Sequence, residues 1–125
     1  ANMTKGNHLK PDYRGVPSIA FTIPPIARVG MGEEEAGHSG RKYRVKCERA
    51  STWFTAREAS EPVYGYKTLV EEDSGRILGA LLVGPHADEV INLFGLAIRQ
   101  GLTGDDLKSA IFGYPTGASD IGYML

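Results

Sequence analysis

Tyr64-Gly65-Tyr66-Lys67-Thr68-Leu69-Val70-Glu71-Glu72-Asp73-Ser74-Gly75-Arg76-Ile77-Leu78-Gly79-Ala80-Leu81-Leu82-Val83-Gly84-Pro85 is the stretch from which the fold is read. Two strand-forming runs, Tyr64 to Glu71 and Arg76 to Val83, flank Glu72-Asp73-Ser74-Gly75. Asp and Ser favour a type I turn, and Gly75 suits the left-handed position that closes such a hairpin. The second run is apolar on both faces, so it is expected at the centre of a sheet, covered on both sides. Gly79 within it predicts the close approach of another backbone or side chain.

Downstream, Gly84-Pro85 breaks the strand and a helix is predicted from about Ala87 to Gln100. Asp88 and Glu89 stand at its positive end, Arg99 near its negative end and Gly101 just beyond. Its middle, Val90 to Ile98, is apolar in nearly every direction, which predicts a helix buried all round and a partner surface to help bury it. Thr103 caps a second helix, Gly104 to about Phe112, with Asp105 and Asp106 in its first turn.

Upstream, Ser18-Ile19-Ala20-Phe21-Thr22-Ile23 reads as a short strand ended by Pro24-Pro25. Ile26 to Gly30 continues extended. Gly32-Glu33-Glu34-Glu35-Ala36 opens a short helix that Gly37 and Gly40 stop. Arg41 to Arg49 alternates: Tyr43, Val45 and Cys47 share one face, while Lys42, Arg44, Lys46 and Glu48 share a wet one. Ser51 or Thr52 caps a short helix through Trp53, Phe54 and Ala56, closed by Pro62. Residues 1–16 form a polar linker arm with a helical fragment at its start. The sum is an α+β domain over residues 17–125: an antiparallel sheet of four to five strands with helices packed on one face.

Charge and composition exclude several classes. Fourteen basic and fifteen acidic residues give a net charge of −1, which offers no footprint for nucleic acid or an anionic membrane. Tyr43 and Trp53 near the basic stripe at 41–49 suggest a stacking surface, but the stripe alternates to the other side of the strand from Tyr43, so a solvated face is the better reading. No apolar run is long enough to cross a membrane, and the first residues lack the apolar centre of a signal peptide. A single cysteine rules out an internal disulfide and suits a cytoplasmic setting. On the apolar face of its strand, Cys47 is expected to be a buried structural thiol.

Catalytic signatures are sparse. Gly30-Met31-Gly32 begins like a dinucleotide fingerprint, but nothing completes it, and there is no phosphate loop. His86 with Asp88 and Glu89 is the one grouping of metal-ligand types. The two acids are already explained by the helix dipole, so no metal site is expected and a small metal enzyme is the weaker reading. No serine has a histidine nearby or a nucleophile elbow. What stands out is Gly113-Tyr114-Pro115-Thr116-Gly117-Ala118-Ser119-Asp120, a structured loop that presents its backbone and one tyrosine to something outside the chain.

From Pro17 onward the chain resembles the C-terminal dimerisation domain of the FAD-dependent pyridine nucleotide-disulfide oxidoreductases, a family that includes glutathione reductase, dihydrolipoamide dehydrogenase and mercuric reductase. The matching pieces fall in the family's order. Phe21-Thr22-Ile23-Pro24-Pro25-Ile26-Ala27-Arg28-Val29-Gly30-Met31, then Glu34 and Ala36, looks like its opening strand and turn. Gly65 to Val70, Gly75 to Ala80 and Val83-Gly84-Pro85 look like its central hairpin. Ala97-Ile98-Arg99-Gln100-Gly101-Leu102-Thr103 with Asp106-Leu107 resembles the helix and turn that follow. Residues 50–63 carry little of the match.

The resemblance implies FAD and NAD(P) domains upstream in a longer parent chain, a homodimer, and FAD and NAD(P)H as the parent's cofactors, with none on this chain alone. An isolated domain would then be inactive, and a free-standing interaction domain reusing the fold is the alternative. In the family the terminal loop reads His-Pro-Thr, two residues, then Glu; the histidine serves as acid/base toward the partner subunit's site and the glutamate orients it. Here Tyr114 and Ser119 stand at the histidine and glutamate positions, and Asp120 falls one residue late. A phenol with a pKa near 10 is a poor base at neutral pH but a good hydrogen-bond donor. The resemblance therefore implies a structural role, with Tyr114 and Pro115 closing over the partner subunit's flavin, and a cis peptide there as an X-Pro bond permits.

Overall fold

Strand order follows from where the polypeptide can pair its backbone. In the computed structural model, which describes Gly6 and residues 10–125, β1 (Ser18–Ala20), β2 (Ile26–Gly30), β3 (Tyr43–Arg49), β4 (Gly65–Glu71) and β5 (Ile77–Val83) form one sheet in the order β1-β2-β5-β4-β3. Every neighbouring pair is antiparallel. The helical fragment expected at the start of the arm lies outside the described residues.

The β4–β5 hairpin is the axis of the sheet. Its turn closes with Gly75 at φ 70° and the Gly75 amide on the Glu71 carbonyl at 2.9 Å. A bulge between Leu69 and Val70 shifts the register, so Val70 opposes Ile77 while Leu69 opposes Gly79. Gly79 has the close neighbour its sequence position predicts. A Cβ there would lie 2.1 Å from the Met31 carbonyl oxygen, where the backbone leaves β2 and the Met31 amide donates to Leu78 at 2.9 Å.

One face of the sheet carries the core. Ala27, Val29, Ala80 and Leu82 point to α3 (Ala87–Gln100), whose Ile91, Phe94 and Ala97 are fully buried, while Tyr66 of β4 meets Trp53 and the C-terminal turn in the same core. Burying a side chain such as Phe94 stabilises by about 1.5–3 kcal/mol relative to leaving it in water. The helix begins and ends where its caps dictate: Gly101 takes φ 70° and returns its amide to Ala97 and Ile98. The expectation of a helix buried all round is corrected. Glu89, Asn92, Leu96 and Arg99 face outward, because a single sheet covers only one side of a helix; only Leu96 makes this exposed stripe apolar.

Shorter helices complete the fold. Residues Glu33–His38 form α1, which runs through Gly37 and packs Ala36 on Leu69 and Leu78 over a corner of the opposite sheet face. Helix α2 (Phe54–Glu58) starts two residues beyond the expected cap, with Trp53 at its N-cap. Helix α4 (Gly104–Ser109) starts in a capping box, where the Thr103 hydroxyl accepts the Asp106 amide and the Asp106 carboxylate accepts the Thr103 amide. A single 3₁₀ turn, Gly117–Asp120, leads into α5 (Ile121–Met124).

Two details of the edges differ from the alternation pattern. Cys47 is exposed, not buried. On β3 the side turned toward the helices holds Lys46, which pairs with Thr68. The C-terminal turn packs there and needs donors for its carbonyls: Lys46 Nζ reaches Tyr123 O at 2.7 Å, and the Thr68 hydroxyl reaches Met124 O at 2.6 Å. The seemingly apolar side of Tyr43, Val45 and Cys47 is consequently the open one. The described part of the arm is laid on α3: Arg99 donates to the carbonyls of Asp12 and Arg14, and a Cβ at Gly95 would lie 2.6 Å from the Gly15 carbonyl oxygen.

Candidate functional site

The loop between α4 and α5 is built from the sequence Gly113 to Asp120. The Tyr114–Pro115 peptide is cis, the isomer an X-Pro bond allows at small cost. After it, Thr116 and Ser119 close a capping box on the 3₁₀ turn. The Thr116 hydroxyl accepts the Ser119 amide at 3.3 Å, and Ser119 Oγ accepts the Thr116 amide at 3.2 Å. Thr116 Oγ1 also donates to Gly113 O, and Ser119 Oγ donates to Thr116 O at 2.6 Å. The loop is thus closed on itself before it touches anything else.

Gly117 seats this loop on α3. A Cβ at Gly117 would lie 2.9 Å from both His86 Cβ and Val90 Cγ2, so only glycine lets the backbone come this near. A groove runs beside the contact, between α2 and α3, with Thr55, Glu58, His86, Glu89, Leu93 and Pro115 on its walls.

Tyr114 and Ser119 are placed on one loop but not in contact as a pair. The Tyr114 side chain is 76% exposed, and its hydroxyl makes no hydrogen bond among the described residues. Its ring lies beside Phe54 of α2, centroids 6.1 Å apart and tilted by 41°. Ser119 is engaged with Thr116, so it does not orient Tyr114. Pro115 is exposed at the same edge. His86 caps α3 in the left-handed conformation at φ 63° and is exposed. It does not converge with Asp88 and Glu89, and no three His, Cys, Asp or Glu side chains among the described residues are placed to hold a metal ion.

The residue one position late has its own use. Asp120 is buried at 8% exposure, and its Oδ2 accepts the Thr55 hydroxyl at 2.5 Å and the Tyr64 hydroxyl at 3.0 Å. Hydrogen bonds to an ionised acceptor are the stronger kind, and two of them offset much of the cost of burying a carboxylate. Burial, and then the neighbouring carboxylate, push the Tyr64 phenol far above its ordinary range. Thr55 and Tyr64 were not singled out by sequence, since they lie 65 and 56 positions from Asp120. The available signal was Asp120 itself, a lone acid opening the otherwise uncharged tail Ile121-Gly122-Tyr123-Met124-Leu125.

Chemically, the loop offers an exposed phenol donor, an aromatic patch with Phe54 behind it and a backbone closed by its own hydrogen bonds. It offers no base poised to accept a proton at neutral pH.

Comparisons with known proteins agree with this architecture. The family described as pyridine nucleotide-disulphide oxidoreductase, dimerisation domain, matches residues 16–124. An uncharacterized 19.7 kDa protein in the mercuric resistance operon of Staphylococcus aureus is 48% identical over all 125 residues, which cover 69% of its length. The dihydrolipoyl dehydrogenase of Halobacterium salinarum is 34% identical over 116 residues, 93% of this chain and 24% of the enzyme. Among solved structures, the copper(II) complex of the HOCl-induced flavoprotein disulfide reductase RclA of Escherichia coli superimposes with a TM-score of 0.87 at 28% identity, covering 98% of this chain and 28% of that one. LpdA of Mycobacterium tuberculosis gives 0.80 at 25% identity, covering 98% and 27%. The chain therefore spans about a quarter of these longer enzymes. The match does not favour a free-standing interaction domain that merely reuses the fold.

Proposed function

This chain belongs to the dimerisation domains of the pyridine nucleotide-disulphide oxidoreductases, and we propose that it supplies the two-fold interface of a FAD- and NAD(P)H-dependent homodimer, with the Tyr114 loop covering the partner subunit's flavin. Residues 1–16 serve as the linker arm from the preceding domains, and the setting is cytoplasmic. The family's description supports a pyridine nucleotide in the parent, and the likeness to RclA, a flavoprotein, supports a flavin.

The observation that carries the reading is the exposed Tyr114 on a loop closed by its own hydrogen bonds. A side chain 76% exposed on a rigid support is presented outward, to another surface. Ile26, Leu81 and Val45 on the open sheet face, and Leu96 on α3, are likewise exposed apolar groups that a second protein surface would cover.

The residues fit a flavin as a cover and not as a proton relay. When bound, the flavin supplies the two-electron redox chemistry. Tyr114 and Phe54 contribute aromatic surface that excludes water, and the Tyr114 hydroxyl supplies a hydrogen bond. Among the described residues no carboxylate hydrogen-bonds the Tyr114 phenol: Ser119, at the orienting position, is tied to Thr116, and Asp120 is turned into the core. Proton transfer to or from a dithiol falls to another group.

Two measurements test this. Sedimentation of the purified chain across micromolar concentrations is expected to show a dimer without bound flavin; a well-folded monomer throughout argues against the interface. In the flavin-loaded enzyme that carries this domain, Tyr114→Phe is expected to leave disulfide turnover within about threefold, since a tenfold change corresponds to only about 1.4 kcal/mol of barrier. A loss of two or more orders of magnitude in turnover, with flavin reduction intact, would make Tyr114 the acid and overturn the cover reading.

A further inference from the structure

We propose that Asp120 is the positioning residue of the Tyr114 loop, and that α2 is the clamp on which it acts. Two consecutive residues of α2 hold the two ends of the loop. Phe54 meets the Tyr114 ring at its start, and the Thr55 hydroxyl meets Asp120 at its end. The Tyr64 hydroxyl, just before β4, makes the third point, so the loop is tied to the sheet as well as to the helix.

Burial makes the tie specific. Thr55 and Tyr64 are each 4% exposed and Asp120 is 8% exposed, so little of any of the three meets water, although Thr55 borders the groove between α2 and α3. An acceptor removed here strands two buried donors at once. Gly117 also seats the loop on α3, close to His86 and Val90. The clamp and the seat together hold the loop that carries Tyr114.

Trp53 offers a built-in reporter. It is the only tryptophan, and its ring lies 5.8 Å edge-on to Tyr64 and 5.8 Å from Tyr123. A change in the Tyr64–Asp120 contact is therefore read in its fluorescence.

The importance of this hold for chemistry rests on the cover reading given above, whereas the clamp itself does not. The test uses the whole chain and amide hydrogen exchange resolved on peptides spanning 113–120 and 66–82. Asp120→Ala and the double variant Thr55→Val/Tyr64→Phe are each expected to speed exchange at 113–120 by at least about tenfold and to shift Trp53 emission, with 66–82 unchanged. Asp120→Asn keeps a carbonyl oxygen for both hydroxyls and is expected to return loop exchange to within about threefold of the parent. Should Asp120→Ala fail to fold, the double variant carries the decision, because it keeps nearly the same volumes.

Unchanged loop exchange in the double variant overturns the proposal. So does acceleration spread evenly over the sheet, which would make Asp120 an ordinary core contact. The flavin spectrum of the loaded enzyme separates the two readings: loosening of the loop by exchange with no spectral effect from Tyr114→Ala keeps the clamp and removes the cover, and the reverse pattern does the opposite.

Discussion

Replacing Gly117 by alanine is the sharpest single probe of how the loop is seated. The new methyl would lie 2.9 Å from His86 Cβ and from Val90 Cγ2, against ordinary contacts of 3.4 Å and more. Neither neighbour is a flexible tip. His86 is held by the left-handed backbone that starts α3, and Val90 is 4% exposed in the core. The loop must therefore retreat by roughly half an ångström, and overpacking of this kind costs about 1–3 kcal/mol. The exposed flanks Pro115 and Thr116 allow some relaxation, so we expect the lower half of that range, about 1–2 kcal/mol. Gly113→Ala is the internal control. A Cβ there has no neighbour within 4 Å, and the substitution should be neutral or stabilise by about 0.4–1 kcal/mol through the unfolded chain. Urea unfolding at pH 7, followed by Trp53 fluorescence and far-ultraviolet circular dichroism, measures both at constant m-value. The two midpoints should separate by roughly 2 kcal/mol, about 8 °C in Tm for a domain of this length. Midpoints that agree within about 0.3 kcal/mol would refute the close seat of the loop on α3.

Other expectations follow from particular groups. Cys47 is exposed on the open face of β3, so a thiol reagent should modify it in the folded chain, diluted until it is monomeric, at a rate close to that of the denatured chain; protection by orders of magnitude in the monomer would restore a buried thiol. Tyr64 and Tyr66 are both raised, chiefly by burial, with the Asp120 charge adding for Tyr64 and the neighbouring Glu48 carboxylate, opposite on β3, adding for Tyr66. A folded value above the unfolded one means stability that is whole below about pH 10 and is lost as pH rises beyond it. Their phenolate absorption should accordingly appear only with unfolding, and Tyr64→Phe should shrink that late step. Thr103→Ala removes the cap of α4 and should cost about 1 kcal/mol by urea denaturation. The Asp106 carboxyl is held low, first by the Thr103 amide and then by its hydroxyl, so its contribution is present above the unfolded pKa of about 3.9 and lost as pH falls through the lower folded value. Asp106→Asn should flatten that part of the acid limb.

How far the sequence could be read depended on the range of the interaction. The β4–β5 turn, the bounds of α3 and the cap at Thr103 rest on neighbours a few residues apart, and all appear where the pattern puts them. The face of β3 was misjudged because alternation says which residues share a side, not which side meets the helices. That choice was made by the C-terminal turn, whose carbonyls draw Lys46 inward from 77 positions away. The outer stripe of α3 was missed for a related reason: apolar content around a helix does not reveal how much of it a single sheet can cover.

The candidate loop shows the same division. The residue types of Gly113 to Asp120 mark a structured loop that presents its backbone and one tyrosine, whereas the lack of a base behind Tyr114 is read from the family resemblance, which sets Ser119 at the glutamate position. Its closure by Thr116 and Ser119 is also local. Only the tertiary structure decided that Asp120 turns inward to Thr55 and Tyr64, and that Phe54 and Thr55 grip the two ends of one loop. Those contacts join parts of the chain more than fifty residues apart, and they depend on the tertiary packing that brings α2 and the last turn to one end of the molecule.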